Sequence, residues 1–377
     1  MRCIDAADSR YVAWFGHCLK SPEGIIKYIM PGVRFGIHVR GTDIVQVRMN
    51  GGFNFFSVRV SPGASEGKAH EFVLAPPTNE LEWLTLANNL DPAQCYEIIL
   101  TKKTEPELRS VMSKFFPVQV AQLSVREGGE FMPTNAEAMF YRNGWVEVIG
   151  DSDACGFGVD GEVSNPANIF TMDPELEDVS QAWGSHVARA LGLGCITIAW
   201  SGKGVVRNAP MCGQECLPEI WLDQAQNWAY GAPATKPAMV LMLAGGNDFF
   251  GVDHPDQKAF VSGFSDWLLK INKFHGNGIP IYLFHCASRC CSSAGSPTEH
   301  PSTSLNANRN CELLSRYTQM VASAMSNESS GIHAVFVDTQ LEIPTDYAIM
   351  MHWSRSGQLK VGTAMANHIV RCIGSIE

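Results

Sequence analysis

The sequence predicts an α/β protein in two parts: an antiparallel β-sandwich, then a domain with a parallel sheet between layers of helices. Three observations carry this. Up to about residue 125, short alternating apolar runs at 34–40, 44–48 and 55–60 are broken by Gly, Pro and Asn, as in sheets with one buried and one wet face. Past residue 144, strand-like runs alternate with helical ones, the order expected when helices cover both faces of a parallel sheet. Between them, Glu127-Gly-Gly-Glu-Phe-Met-Pro-Thr-Asn135 has the composition of a connector. The expected division is therefore a sandwich over 1–126, a linker over 127–143 and an α/β domain over 144–377.

Turn signals at Pro31-Gly32, Asn50-Gly51-Gly52 and Pro62-Gly63 separate the front strands. In the second part, strands are expected at 146–149, 196–200, 239–243, 279–284 and 334–337. Helices are expected over 174–191, 257–274, 311–325 and 354–372. The helix over 257–274 shows its period directly, since Phe260, Phe264, Trp267, Leu268 and Ile271 fall on one apolar stripe, read as core packing. No repeat of about 20–50 residues is visible, which argues against solenoids and propellers.

At 377 residues, with 45% hydrophobic and 18% charged content, the chain is long enough for two cores. A formal net charge of −10 disfavours nucleic acid and anionic membranes as partners. The pair Lys102-Lys103 reads as a solvated strand end. No apolar run approaches the roughly 18 residues of a membrane span. Residues 1–8, Met-Arg-Cys-Ile-Asp-Ala-Ala-Asp, lack the apolar core of a secretory signal. The expected location is cytoplasmic for the chain as it stands, and secreted if a leader was trimmed.

Twelve cysteines are read as free thiols by default. Neither Cys212 with Cys216 nor His285-Cys286 with Cys290, Cys291 and Cys311 has the paired Cys-x-x-Cys spacing of a closed zinc site, so no metal is expected. A disulfide from Cys290 or Cys291 to Cys311 stays open. Asn327-Glu-Ser329 is a glycosylation acceptor only in a secreted protein.

The chemistry gathers at strand ends. The short, mostly β-branched run 146–149 stops at Gly150-Asp-Ser152, and Gly150 permits the tight corner that lifts the Ser152 hydroxyl to the strand's carboxyl end. Ligands bind at that edge of open α/β sheets. A serine hydroxyl becomes a nucleophile when an imidazole takes its proton. His352 is the candidate, on a loop after the last strand. A tetrahedral oxyanion needs preset donors; the Asn247 side chain, the Gly202 N–H and the Ser152 N–H are the candidates. Asp346 is a candidate orienter of His352, Asp151 a local hydrogen-bond support, and Trp353 a candidate aromatic platform for a substrate, whereas Trp200 reads as core. Gly156-Phe-Gly-Val-Asp-Gly161 matches a dinucleotide spacing but stands in the wrong context, with the five residues Asp151–Cys155 between it and the Gly150 corner of its strand.

The blocks around Ser152, Gly202, Asn247 and His352 resemble those of the SGNH (GDSL) hydrolase superfamily. Closer still, Ile149-Gly-Asp-Ser-x-x-Cys-Gly-Phe-Gly158, Ser201-Gly-x-Gly-Val-Val-Arg-Asn208 and Thr101-Lys-Lys-Thr-Glu105, with Phe35 and Gly41-Thr42 in the front half, look like carbohydrate esterase family two. That resemblance implies a jelly roll joined to a flavodoxin-like SGNH domain, and removal of acetyl groups from polysaccharides such as xylan and glucomannan. It implies no cofactor and an acetylated carbohydrate as partner. Where the superfamily usually places Asp, three residues before the histidine, this chain has Ile349. The family's Ser–His dyad, oriented by a backbone carbonyl, makes a carbonyl from 349–351 the preferred orienter. Asp153, another departure, is expected to turn outward, away from the base and the oxyanion. The alternatives are an SGNH lipase or thioesterase on acyl lipids, and a catalytically inactive carbohydrate-binding protein.

Overall fold

The computed structural model describes residues 1–63, 68–76, 80–106, 117–162, 174–210, 212–250, 254–286, 305–325, 332–337, 339, 341–342 and 345–374. The chain divides into two compact units. Met1–Arg142 with Asp223–Ala234 form one, and Asn143–Leu222 with Thr235–Glu377 form the other.

Among the described residues the first unit has twelve strands: β1 (Arg2–Asp5), β2 (Ala13–Phe15), β3 (Leu19–Lys20), β4 (Ile26–Tyr28), β5 (Arg34–Arg40), β6 (Ile44–Asn50), β7 (Phe56–Pro62), β8 (His70–Leu74), β9 (Glu82–Asn88), β10 (Cys95–Lys102), β11 (Val118–Val125) and β12 (Glu130–Met132). They form two antiparallel sheets. One runs β3-β4-β11-β6-β9 with β1 on β11, the other β12-β5-β10-β7-β8 with β2 on β5. Alternation decides which face is buried: in β6, Val45, Val47 and Met49 are fully inside while Gln46 and Arg48 are not. Trp14 of β2 meets Tyr28 of β4 edge to face at 5.7 Å, so the inner faces of the two sheets touch.

Three expectations change here. The connector is not plain linker: β12 lies within it and pairs with β5, because Phe131 is buried between flanking residues that are not. Residues 223–234 rejoin this unit far from the front half in sequence, Tyr230 and Cys18 exchanging both main-chain hydrogen bonds at 2.9 Å. Lys102 and Lys103 are buried rather than solvated. The Lys102 ammonium donates to the carbonyls of Thr104 and Glu105, which satisfies a charge that would otherwise be costly inside.

The second unit contains β13 (Trp145–Gly150), α1 (Ser152–Cys155), α2 (Trp183–Ala190), β14 (Gly194–Ala199), β15 (Met239–Leu243), α4 (Gln257–Phe274), β16 (Ile281–Cys286), α5 (Leu305–Met325), β17 (Ile332–Val337) and α6 (Arg355–Gly374); α3 (Leu217–Asn227) falls between β14 and β15. The five strands among the described residues are all parallel, in the order β14-β13-β15-β16-β17. In that 2-1-3-4-5 order the crossovers from β13 and into β15 diverge, opening a crevice at their carboxyl ends. β13 is buried along its whole length.

The stripe of α4 is core, as its period predicts: Phe260, Phe264, Trp267, Leu268 and Ile271 are all buried. Each contributes about 1.5–3 kcal/mol by leaving water. The expected helix over 174–191 is instead two 3₁₀ turns, Pro174–Leu176 and Val179–Gln181, with α2 starting only at Trp183. Asp178 accepts from the Ser180 N–H and Ala182 is extended, a local bonding pattern that competes with the helix. The helix α3 was not expected, and α5 begins six residues earlier than its period suggested. Cys216 is a free thiol and the Cys212 thiol donates to the Pro210 carbonyl at 3.7 Å; Cys290, Cys291, the Cys286 and Cys311 side chains and Asn327 lie outside the described residues. Among the described residues no helix is long and apolar enough to cross a membrane, and no cluster of three His, Cys, Asp or Glu side chains could hold a metal ion.

Candidate active site

The corner after β13 is tight. A methyl on Gly150 would lie 2.8 Å from both the Ala154 Cβ and the Leu243 carbonyl oxygen. Asp151 then caps α1: its carbonyl accepts from the Ala154 and Cys155 N–H groups, and its side chain accepts from the Asp153 N–H. The first residue of that single helical turn is Ser152, which is buried.

His352 comes to it from two hundred residues away in sequence. Its Nε2 lies 2.8 Å from Ser152 Oγ, and its Nδ1 lies 3.1 Å from the Ile349 carbonyl oxygen. A carbonyl can only accept, so Nδ1 carries the proton and the Nε2 lone pair faces the serine hydroxyl. The Ile349 carbonyl also accepts from the His352 main-chain N–H at 3.0 Å, and Phe157 packs on the imidazole at 4.7 Å. Between them Met350 takes φ 52° and ψ 32°, a left-handed conformation unusual outside glycine and asparagine.

Asp346 is not the orienter. Its oxygens accept from Ser356 Oγ at 2.7 Å, from Lys360 Nζ at 2.6 Å and from the Glu342 N–H at 2.8 Å. Burial opposes ionisation there, and the donors from Lys360, Ser356 and Glu342 outweigh it, holding the carboxyl below its ordinary value. Trp353 is no sugar platform: it is completely buried within the core of this unit. His352 is extended, so its successor points to the opposite side. Asp153 does not turn outward either. It is wholly buried, and its carbonyl accepts from Gln358 Nε2 at 3.1 Å, because a one-turn helix under the sheet edge offers its second position no route to water.

The oxyanion candidates divide. Gly202 follows β14 at φ +76°, where a side chain would be strained and would overlap the Cys212 sulfur. Its carbonyl accepts from the Ala209 N–H, and among the described residues nothing accepts from its own N–H. Asn247 sits at the expected edge, but both amide hydrogens are engaged, one on Asp151 Oδ2 at 3.1 Å and one on the Lys203 carbonyl at 3.0 Å. It ties the serine corner to the glycine loop.

No protein-family profile and no curated protein sequence matches this chain. Solved structures do match, over nearly its whole length. A family two carbohydrate esterase from Clostridium thermocellum in complex with cellohexaose superposes with a TM-score of 0.74 at 18% identity, covering 96% of this chain and 99% of that one. A family two carbohydrate esterase from Cellvibrio japonicus gives 0.74 at 14% identity, covering 100% and 99%. An acetyl xylan esterase from the rumen bacterium Butyrivibrio proteoclasticus gives 0.69 at 12%, covering 99% and 100%. The fold is that of the family two carbohydrate esterases.

Within this family two fold the sequence reading missed Asp248. It is fully buried and accepts from the N–H groups of Val205, Val206 and Arg207 at 2.7, 2.8 and 3.0 Å, fixing the loop that follows Gly202. Burial pushes its carboxyl up to about 6 against the pull of those donors. The signal was its place directly after Asn247 on the Gly245-Gly246 corner. His285 was also missed as more than a metal candidate. Its Nδ1 meets Ser315 Oγ at 3.1 Å, it lines a small cavity with Asp151 and Gly246, and burial pushes it down to about 4.

Proposed function

We propose that the chain is a serine esterase removing O-acetyl groups from a polysaccharide or oligosaccharide through a Ser152–His352 dyad. One observation carries the reading: Ser152 Oγ, His352 Nε2, His352 Nδ1 and the Ile349 carbonyl stand in one hydrogen-bonded line of 2.8 and 3.1 Å. Ser152 attacks the acetyl carbonyl and passes its proton to Nε2. His352 returns that proton to the departing sugar oxygen, leaving an acetyl-serine. Water then attacks, again losing a proton to Nε2, and acetate leaves as the serine is restored.

The Ser152 and Gly202 N–H groups are the donors for the oxyanion, each contributing about 3 kcal/mol in a preset site. Asn247 acts as the tie that keeps their two corners in register. A carbohydrate partner is supported by the cellohexaose complex of a protein with the same fold. The strand orders β4-β11-β6-β9 and β5-β10-β7-β8 support reading the first unit as a jelly roll, two Greek keys folded into facing sheets.

The test is acetate release from acetylated xylan, glucomannan and chitin-type oligomers by wild type, Ser152→Ala and His352→Ala. Loss in both variants is the expected result. Release that survives Ser152→Ala rejects Ser152 as the nucleophile, release that never occurs from wild type favours the inactive sugar-binding alternative, and hydrolysis only of long acyl esters favours the lipase.

A further inference from the structure

The glycines at 156, 158 and 161, whose spacing imitates a nucleotide fingerprint, have a different use in this fold. Ile349 is almost completely buried, and its side chain lies against two of them. A Cβ on Gly161 would overlap both Cγ1 and Cδ1 of Ile349, and one on Gly158 would stand 3.0 Å from its Cβ. The two glycines form a socket that only hydrogen atoms can line.

The socket belongs to the nucleophile's own segment. Phe157 N–H donates to the Ser152 carbonyl at 3.0 Å, and Gly161 N–H closes a turn on Gly158 at 2.9 Å. A second clasp joins the same two stretches of chain, Arg355 Nη2 donating to Asp160 Oδ2 at 2.9 Å. On the other side, Ile349 presents the carbonyl that takes both N–H groups of His352, and the left-handed Met350 turns the chain back so that one oxygen can serve both. A conformation of that kind persists when its surroundings over-determine it.

We infer that Ile349 is a positioning residue. Its side chain, seated on Gly158 and Gly161, fixes the direction of its own carbonyl and thereby the tautomer and aim of His352. The serine segment thus carries the gauge that sets its own base, at the position where a carboxylate would otherwise do this work. The inference rests on the esterase reading above.

The probe is Gly161→Ala in the full chain, because Gly161 is not at positive φ and the change adds only a methyl where Ile349 sits. With an acetyl ester, kcat is expected to fall about ten- to a hundredfold at unchanged KM, the cost of a small misplacement of a reacting group. The acid limb of the kcat–pH profile is expected to move to lower pH, since a lost carbonyl acceptor destabilises the imidazolium. Ile349→Ala, which introduces no clash, is expected to do the same. The double variant Gly161→Ala/Ile349→Ala, which removes the two Ile349 atoms that the new methyl would overlap, should exceed Gly161→Ala in kcat. Wild-type kcat in Gly161→Ala and Ile349→Ala, or a fall with the acid limb unmoved and no recovery in the double variant, overturns the inference. Ser152→Ala and His352→Ala run beside them: activity persisting there sinks the esterase reading itself, whereas activity lost there but kept in Gly161→Ala sinks this inference alone.

Discussion

Asp346 and Lys360 form a 2.6 Å ion pair across the start of the last helix, and that pairing, six residues before His352, is what the carboxylate nearest to the histidine in sequence does in place of touching its ring. The Asp346 carbonyl accepts from the Ser354 N–H as well, so this one buried residue anchors both ends of the loop that holds the imidazole.

Asp346→Asn should therefore act on stability before chemistry. The carboxyl is held below its ordinary value, so its contribution is present above that value and is lost as pH falls through the lowered one. Urea unfolding at pH 7 should show a loss of about 1–3 kcal/mol in the variant, the scale of a removed charged hydrogen bond. The gap between wild type and variant should narrow on acidification to about pH 3. If Asp346→Asn matched His352→Ala in lost activity while unfolding like wild type, the carboxylate would be acting on the imidazole after all.

Trp353 gives a second test, since a sugar platform and a core residue fail differently. Trp353→Phe leaves a void within the buried cluster that also holds Trp183 and Val361, and should lower stability by about 1–3 kcal/mol. KM for oligosaccharide esters should stay within twofold of wild type. A KM raised by a factor of ten or so at unchanged stability, equivalent to about 1.4 kcal/mol of binding, would return the indole to the substrate.

How far these sites could be read from sequence depended on whether the deciding contact was local. β13 and the Ser152 corner were legible because a β-branched run ending in Gly150 fixes both strand and turn within six residues. The stripe of α4 was legible for the same reason. His352 could be singled out by order along the chain, and the Ile349 carbonyl by the family resemblance. The roles of Asp346, Asp153 and Trp353 were not legible, because each is set by how α6 docks: Lys360 and Gln358 reach back from that helix to Asp346 and to the Asp153 carbonyl. Residues 223–234 were missed for a similar reason, since nothing within them announces a main-chain pairing with Cys18.

Asp248 tests whether the glycine loop is held by charge. Its two carboxylate oxygens accept three N–H groups from consecutive residues 205–207, and Asn247 beside it ties the Lys203 carbonyl to Asp151, so the loop after Gly202 hangs from one short strand end. Asp248→Asn replaces one acceptor oxygen by an amide that can only donate, facing groups that also donate. The loop must then move or leave N–H groups unsatisfied, a cost of about 1–3 kcal/mol in unfolding experiments. In the proposed mechanism the Gly202 N–H is the donor that the loop presents, so kcat should fall by roughly a hundredfold, the effect of losing one oxyanion donor. Asp248→Asn with wild-type kcat would show that acetyl transfer does not depend on where this loop sits, and would remove Gly202 from the site.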